Sequence, residues 1–262
     1  MTPEFDADLL SRVEDAGINA SAPREQLWVD GWLLRFSPGK AKRARCVQAV
    51  AAGRLPVELK LERCLALYAK AGLRPYVRIT PFSQPPGLDE RLAALGMERI
   101  DDTRVMVMSL VASTHAHGDA EQALASEAHF QPVDSDEFAE WVGGQRGSSS
   151  TERRAHADRL RASPVAYRAS LLIDASGMPV AGGQVAIEDD LVGLYDIFTA
   201  ESTRGRGLAR TLCRQLLKAA ASVGARTAYL QVDASNAPAR QVYQRLGFID
   251  AYAYHYRSPP VA

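Results

Sequence analysis

The stretch Ser202 to Leu212, STRGRGLARTL, constrains this chain most, because it joins an apolar strand to an amphipathic helix through a turn holding two glycines. Upstream, Gly193 to Thr199 (GLYDIFT) has strand composition. Downstream, Leu208, Ala209, Leu212, Cys213, Leu216, Leu217, Ala220 and Val223 recur at helical spacing, and Gly224 stands where a C-terminal cap belongs. Such a junction leaves the first N–H groups of the helix unpaired near the positive end of its dipole, and Arg204 and Arg206 add charge. It reads as an anion cradle, with phosphate the natural guest. The dinucleotide fingerprint G-x-G-x-x-G fails because Arg210 stands where its third glycine belongs, and no G-x-x-x-x-G-K-[ST] loop is present. What remains is R-x-x-G-x-A, from Arg204 through Gly207 to Ala209. Alone, this pattern also suits an ordinary helix start that uses glycine for turn geometry.

A second motif narrows the choice. Thr227 to Val232 (TAYLQV) reads as a strand, and Asp233 to Phe248 (DASNAPARQVYQRLGF) as a helix with Asn236 as N-cap and Pro238 in its first turn. Ala239, Val242, Tyr243 and Leu246 form its apolar stripe, and Gly247 ends it. Together the two motifs resemble the GNAT superfamily of acyl-CoA-dependent N-acyltransferases. There, R-x-x-G-x-A is the pyrophosphate loop, and N-x-x-A-x-x-x-Y followed by L-G-F lies beside the thioester. Asn236, Ala239, Tyr243 and Leu246-Gly247-Phe248 supply every part of the second pattern.

The resemblance implies an α/β fold with a mixed, mostly antiparallel sheet, in which the strand before the loop and Thr227 to Val232 are parallel neighbours that splay apart. It implies acetyl-CoA as co-substrate and an amine acceptor that attacks the thioester directly. The pantetheine arm would pair with the backbone of Ile197, Phe198 and Thr199, and the pyrophosphate with Arg204, Gly205, Arg206, Gly207, Leu208 and Ala209. Asn236 and Tyr243 would border the thioester. Some members place a glutamate base on the central strand; counting back from Arg204, Gly193 occupies that position here. Asp196 is the substitute candidate, equally readable as a strand acid that orders a loop, and Glu188, Asp189 and Asp233 are further ones. The backbone N–H of Phe198 or Thr199 is the expected oxyanion donor. Tyr243 is the expected acid for the leaving thiolate, since a phenol is protonated at neutral pH; packing on the apolar stripe is its plainer role.

Composition excludes little and sets the compartment. Thirty-one basic and thirty-one acidic residues balance, so no bias points to nucleic acid or a membrane surface. Cys46, Cys64 and Cys213 lack C-x-x-C spacing and read as reduced core thiols. The acidic start MTPEFDADLL is unlike a signal peptide, and no run is apolar enough to span a bilayer, so a cytoplasmic protein is expected.

The rest of the chain reads as a second copy of the same plan. A helix over residues 4–16 precedes strand, turn and strand from Gln26 to Phe36 around Asp30-Gly31. A basic loop, Ser37 to Arg45, follows, then a strand Cys46 to Ala52, a helix Val57 to Ala71, a strand Tyr76 to Thr80, a helix Leu88 to Leu95 and a strand Arg104 to Leu110. Aligning Gly72 with Gly224 sets AGLRPYVRIT over VGARTAYLQV, and a one-residue shift sets Gly96 over Gly247. Two tandem GNAT-like units are therefore expected: residues 1–112, a linker 113–127, and residues 128–262. Where the second copy has its loop, the first has Ala52 or Gly53, Leu55 and Val57, with Pro56 removing a donor, and Leu92 stands for Tyr243. Branched side chains are expected to fill the anion space, making the first copy degenerate.

Within the linker, His115 and His117 have no partners at ligand spacing, so no metal is expected. Trp141, Gln145 and Arg146 fall in the region that forms the acceptor wall in the superfamily, although Trp141 equally suits a core. Tyr252, Tyr254 and Tyr256 alternate onto one strand face, as a cross-strand ladder or a ligand lining. Two further readings stand beside the small-molecule acetyltransferase: a non-catalytic acyl-CoA-binding sensor or scaffold, and a protein N-acetyltransferase. No motif selects the acceptor or the oligomeric state.

Overall fold

The computed structural model describes residues 5–111 and 128–260. The expected linker 113–127, with His115 and His117, lies outside them. In chain order the elements are α1 (Ala7–Ala20), β1 (Glu25–Val29), β2 (Trp32–Phe36), β3 (Val47–Gln48), α2 (Val57–Lys70), β4 (Val77–Ile79), α3 (Leu88–Ala94), β5 (Glu98–Ser109) and β6 (Ala128–Val133). They continue as α4 (Ser135–Gln145), α5 (Ser150–Ala162), β7 (Ala166–Asp174), β8 (Pro179–Glu188), β9 (Leu191–Thr199), α6 (Leu208–Ala221), β10 (Thr227–Asp233), α7 (Ala237–Leu246) and β11 (Ile249–Ser258). The fold is mixed α/β, and its eleven strands are hydrogen-bonded in the order β1-β2-β3-β4-β11-β5-β10-β9-β8-β7-β6. A separate sheet for each half was expected; instead there is one strand order, because β11 pairs with β4 and β5 neighbours β10.

Two compact units can be described. The first comprises Met1–Ala20, Met106–Val232 and Asn236–Ala251. Its strands β6 to β9 form an antiparallel meander, and α6 crosses over to bring β10 parallel to β9, as the turn pattern predicts. The apolar stripe of α6 is buried at Leu208, Leu212, Cys213, Leu216, Leu217 and Ala220, against Val185, Val192, Leu194 and Leu230 of the sheet. Each such leucine contributes roughly 1.5–3 kcal/mol through removal from water. The opposite face carries α4 and α5, whose Phe138, Val142 and Leu160 pack on Ala169, Leu171 and Ile173 of β7. Asp134 caps α4 by accepting the N–H groups of Asp136 and Glu137, and Ser149 with Glu152 closes a capping box on α5.

The second unit comprises Ser21–Val105, Asp233–Ser235 and Tyr252–Ala262. The β1–β2 hairpin turns through Asp30 and Gly31, both left-handed at φ 45° and 86°, as a type I′ turn requires. Strands β3 and β4 are parallel, with α2 between them in sequence, the same strand, helix and strand order as β9, α6 and β10. Helices α2 and α3 bury Val57, Leu61, Cys64, Tyr68, Leu88 and Leu92 on this part of the sheet.

The segment before α2 differs in cause from the expectation. The Asp30 carboxylate accepts the N–H of Arg54 at 2.9 Å and of Leu55 at 2.8 Å, and its Oδ2 lies 3.2 Å from the fully buried Lys60 Nζ. A Cβ on Gly53, at φ 70°, would stand 2.1 Å from the Asp30 carbonyl oxygen. An internal carboxylate, not a branched side chain, therefore takes the N–H groups of the turn just before the N-cap Pro56 of α2. In the same unit Tyr254 and Tyr256 stand edge to face at 5.7 Å and Tyr76 joins Tyr256 at 6.1 Å, the cross-strand ladder among the readings of that alternation.

Candidate functional site

The site lies within the first unit, where β9 and β10 part. Their parallel pairing runs from Thr227↔Leu191 to Leu230↔Leu194 and stops, while β9 continues to Thr199. On its other edge β9 stays paired with β8, but with a register shift between Gly182 and Gln184, so that Asp196 and Ile197 bulge opposite Gly183. Asp196 is left-handed at φ 52°. Ala200 N–H donates to Val180 O at 2.9 Å, so strand alternation turns the peptide groups of Thr199 toward the parted side and those of Phe198 toward β8. Of the two expected oxyanion donors, only Thr199 thus faces the opening. The Ile197 side chain reaches the α6 face of the sheet: a Cβ on Gly183 would lie 2.5 Å from its Cδ1 and 3.3 Å from Leu212 Cδ2.

Beyond Thr199 a short 3-10 turn, Glu201–Thr203, leads to Arg204 and to two left-handed glycines, Gly205 at φ 78° and Gly207 at φ 77°. Gly207 is the N-cap of α6 and supplies no side-chain cap, so the N–H groups of Leu208 and Ala209 open the helix without intrahelical acceptors. A Cβ built on Gly205 or Gly207 meets nothing within 4 Å. Open space, forward-pointing donors and a helix dipole coincide there, and the residues fit a pyrophosphate. A recess of about 400 Å³ adjoins the loop, lined by Asp174, Ser176, Val180, Arg206 and Leu208. A larger groove of about 560 Å³ lies between α4 and α5, away from the strand ends, and its charges pair with one another, Arg161 with Asp136 and Arg153 with Glu140.

Helix α7 packs beside α6. Asn236 Oδ1 accepts the N–H of Ala239 at 3.2 Å, so its side-chain oxygen serves the helix start. Tyr243 leans on Phe248 at 6.1 Å and on the core beneath α6, and its hydroxyl has no hydrogen bond among the described residues. Burial, with Cys213 alongside, pushes its phenol above the ordinary range, so it remains protonated across any working pH. Cys46, Cys64 and Cys213 are buried and form no disulfide among the described residues, and burial pushes the Cys64 and Cys213 thiols up to about 12.

The face under α4 and α5 holds a polar cluster that sequence reasoning gave only in part. Arg146 Nη1 donates to Asp196 Oδ1 at 2.6 Å and Gln184 Nε2 to Oδ2 at 2.7 Å, and His156 Nε2 lies 3.3 Å from Oδ2. Burial pushes the Asp196 carboxyl up, but His156 and Arg146 outweigh it and hold the group well below the usual carboxylate range. About a fifth of its side chain, 21 %, is still exposed. Trp141 stands edge-on to Phe198 at 6.3 Å and would collide with a Cβ on Gly182, so it packs as a core residue. The guanidinium groups of Arg146 and Arg204 each lie 5.8 Å from the Phe198 ring, linking this cluster to the loop. Gln145 is exposed at the end of α4. His156 and Gln184 are the additions that the structure makes.

Of the other carboxylates considered as bases, Asp189 is exposed in the turn after β8, and two are engaged elsewhere. Glu188 accepts from Asn19 Nδ2 at 2.9 Å, and Asp233 accepts the Ser235 N–H at 2.7 Å in its own turn. At Gly193 a Cβ would stand 2.5 Å from Tyr195 Cε2 and 2.7 Å from Tyr229 Oη. Among the described residues no group of three or more His, Cys, Asp or Glu could hold a metal, and no helix is long and apolar enough to cross a membrane.

Residues 9–257 match the family model described as "Probable histone acetyltransferase Rv0428c C-terminal". The uncharacterized N-acetyltransferase YobR of Bacillus subtilis is 29% identical over 231 residues, covering 86% of this chain and 89% of that protein. In fold, the chain is similar to a GCN5-related N-acetyltransferase from Kribbella flavida, with a TM-score of 0.71 at 18% identity over 99% of this chain and 97% of that one. A tandem GNAT protein from the clavulanic acid biosynthesis pathway gives a TM-score of 0.59 at 15% identity, over 78% and 70% of the two chains.

Proposed function

We propose that this chain, which belongs to the Rv0428c C-terminal family and has the GNAT N-acetyltransferase fold, transfers an acetyl group from acetyl-CoA to the primary amine of a small molecule by direct attack on the thioester. The observation that carries this reading is the end of β9–β10 pairing at Leu194↔Leu230, after which β9 runs on unpaired on that edge toward the two left-handed glycines that open α6. Parted strands offer unpaired peptide groups to an amide-bearing arm, and the helix start offers donors to its phosphates.

The roles follow. Arg204, Gly205, Arg206, Gly207, Leu208 and Ala209 bind the pyrophosphate, while Ile197, Phe198 and Thr199 border the pantetheine arm. Thr199 N–H stabilises the oxyanion, and Tyr243, kept protonated by burial, gives its proton to the leaving sulfur. Asn236 fixes the start of α7 and with it the position of Tyr243. Asp196 stands at the acceptor side of the opening as an ionised group. The bound co-substrate supplies the activated acyl group. We further propose a tandem origin, residues 1–112 and 128–262, supported by the strand, helix and strand order shared by β3, α2 and β4 with β9, α6 and β10.

A second reading, a protein lysine as acceptor, is favoured by the description of the family model. The first test is the melting temperature with and without acetyl-CoA, for wild type and Gly207→Glu. A ligand that binds only the folded state raises the melting temperature, so wild type should shift and the variant should not. No shift at millimolar acetyl-CoA would sink the acyltransferase reading. Thiol release with small amines against a lysine-bearing peptide then separates the two acceptors.

A further inference from the structure

We infer that His156 is the group that takes the proton from the attacking amine, with Asp196 as the positioning residue behind it; the role rests on the acyltransferase reading above. The carboxylate of Asp196 is poorly suited to the task itself. Both its oxygens are engaged, Oδ1 by Arg146 at 2.6 Å and Oδ2 by Gln184 at 2.7 Å, and a carboxylate so stabilised has little affinity for a proton. Its placement instead serves the neighbouring imidazole. His156 Nε2 is buried 3.3 Å from Asp196 Oδ2, within ion-pair distance, and makes no hydrogen bond among the described residues. The anionic oxygen beside it repels a lone pair and so favours the tautomer with hydrogen on Nε2. Nδ1 is then the ring nitrogen with a free lone pair, on a side chain that stays 18% exposed.

The ring is held from several sides. Its helix, α5, is fixed at its start by the Ser149–Glu152 capping box, and Phe138 of α4 meets the imidazole edge to face at 6.5 Å. The charged groups that face it are Asp196 from β9 and, through Asp196, Arg146 from the end of α4. Its charged neighbours on α5 are turned elsewhere: Arg153 to Glu140 of α4, Arg159 to the Tyr167 ring of β7 and the Ala20 carbonyl of α1. Asp196 is thus the single net anion against the ring.

The chemistry balances. The amine nitrogen forms a bond to the thioester carbonyl carbon and passes one N–H proton to His156 Nδ1. The C–S bond breaks, the sulfur takes the proton of the Tyr243 hydroxyl, and the imidazolium and tyrosinate restore themselves by exchange with solvent. The products are one amide and one thiol.

Two measurements on the full chain test this. The first needs no acceptor: imidazole nitrogen NMR on labelled protein, with the His156 signals identified by their loss in His156→Gln. The expected neutral tautomer carries its proton on Nε2; a neutral ring protonated at Nδ1 would overturn the role whatever the acceptor. The second is thiol release from acetyl-CoA with a polyamine, an aminoglycoside, free amino acids and a lysine-bearing peptide. His156→Gln should lower kcat/KM by about 100-fold or more and remove the acidic limb of its pH profile, while the acetyl-CoA shift in melting temperature persists. Asp196→Asn, which suits the left-handed backbone, should lower kcat with KM little changed and move the His156 nitrogen signals toward the Nδ1-protonated ring, because the imidazole loses the anion that orients it. An unchanged limb in His156→Gln overturns the inference and leaves the acyltransferase reading intact. A wild type that releases no thiol with any amine overturns that reading, and this role with it.

Discussion

The carboxylate of Asp30 accepts the N–H of Leu55 at 2.8 Å, across twenty-five residues, and so fills the turn just before α2 with an anion of the chain's own. Leu55 and Arg54 N–H groups, with Lys60 behind them, hold that carboxyl down to about 2. Because the folded value lies below the unfolded one, near ~3.9, the stabilisation is complete above that pH and is lost as pH falls toward the folded value. Melting temperature should therefore drop between about pH 4 and pH 2, and Asp30→Asn should flatten that part of the profile. At neutral pH the same variant should be markedly less stable than wild type, because Lys60 Nζ, fully buried, loses its counter-ion. Circular dichroism melts across pH check both.

Restoring the glutamate that some GNAT members carry on this strand should fail. The space above Gly193 is taken by Tyr195 and Tyr229, whose hydroxyls lie 3.0 Å apart. Gly193→Ala should cost about 1–3 kcal/mol by overpacking, and Gly193→Glu more, with no gain in kcat. Urea unfolding and thiol release measure the two effects.

Tyr243→Phe should lower kcat by about 100-fold while acetyl-CoA affinity changes little, since the hydroxyl makes no bond in the resting protein and burial keeps it a proton donor. Calorimetric binding beside steady-state rates decides the matter. Equal rates in variant and wild type would reduce Tyr243 to packing on Phe248.

Gly207→Ala separates fold from binding. The added methyl meets no atom within 4 Å, so the cost is that of a left-handed alanine, about 1–2 kcal/mol, and the protein should stay folded. The acetyl-CoA-dependent rise in melting temperature should nevertheless shrink, because the methyl stands where a phosphate approaches.

What could be read from the sequence was local. The stripe from Leu208 to Ala220 fixed the buried face of α6, and Asn236, Pro238 and Gly247 marked the ends of α7. The Asp196 cluster was only half legible, because its partners arrive from β8, α4 and α5 at separations such as twelve and fifty residues, with no shared motif. A lone histidine in a charged helix gives no local sign that it will meet an aspartate. The same limit hid Asp30, whose role at Arg54 and Leu55 depends on a hairpin turn upstream. The strand expected over Cys46 to Ala52 shrinks to Val47–Gln48, since Ala49 and Ala51 give their polar groups to Gln84 and Gly31 instead.

The left-handed backbone at Asp196 sets the terms on which this site can change. Only glycine, asparagine and aspartate take that conformation at little cost, so the anchor is nearly frozen by geometry before any chemistry is considered. Arg146, the C-cap of α4, Gln184 in β8 and His156 in α5 have negative φ and carry no such backbone restriction. A library that aims to move this scaffold to a new amine should therefore hold positions 196 and 156 constant and draw its diversity from positions 146 and 184.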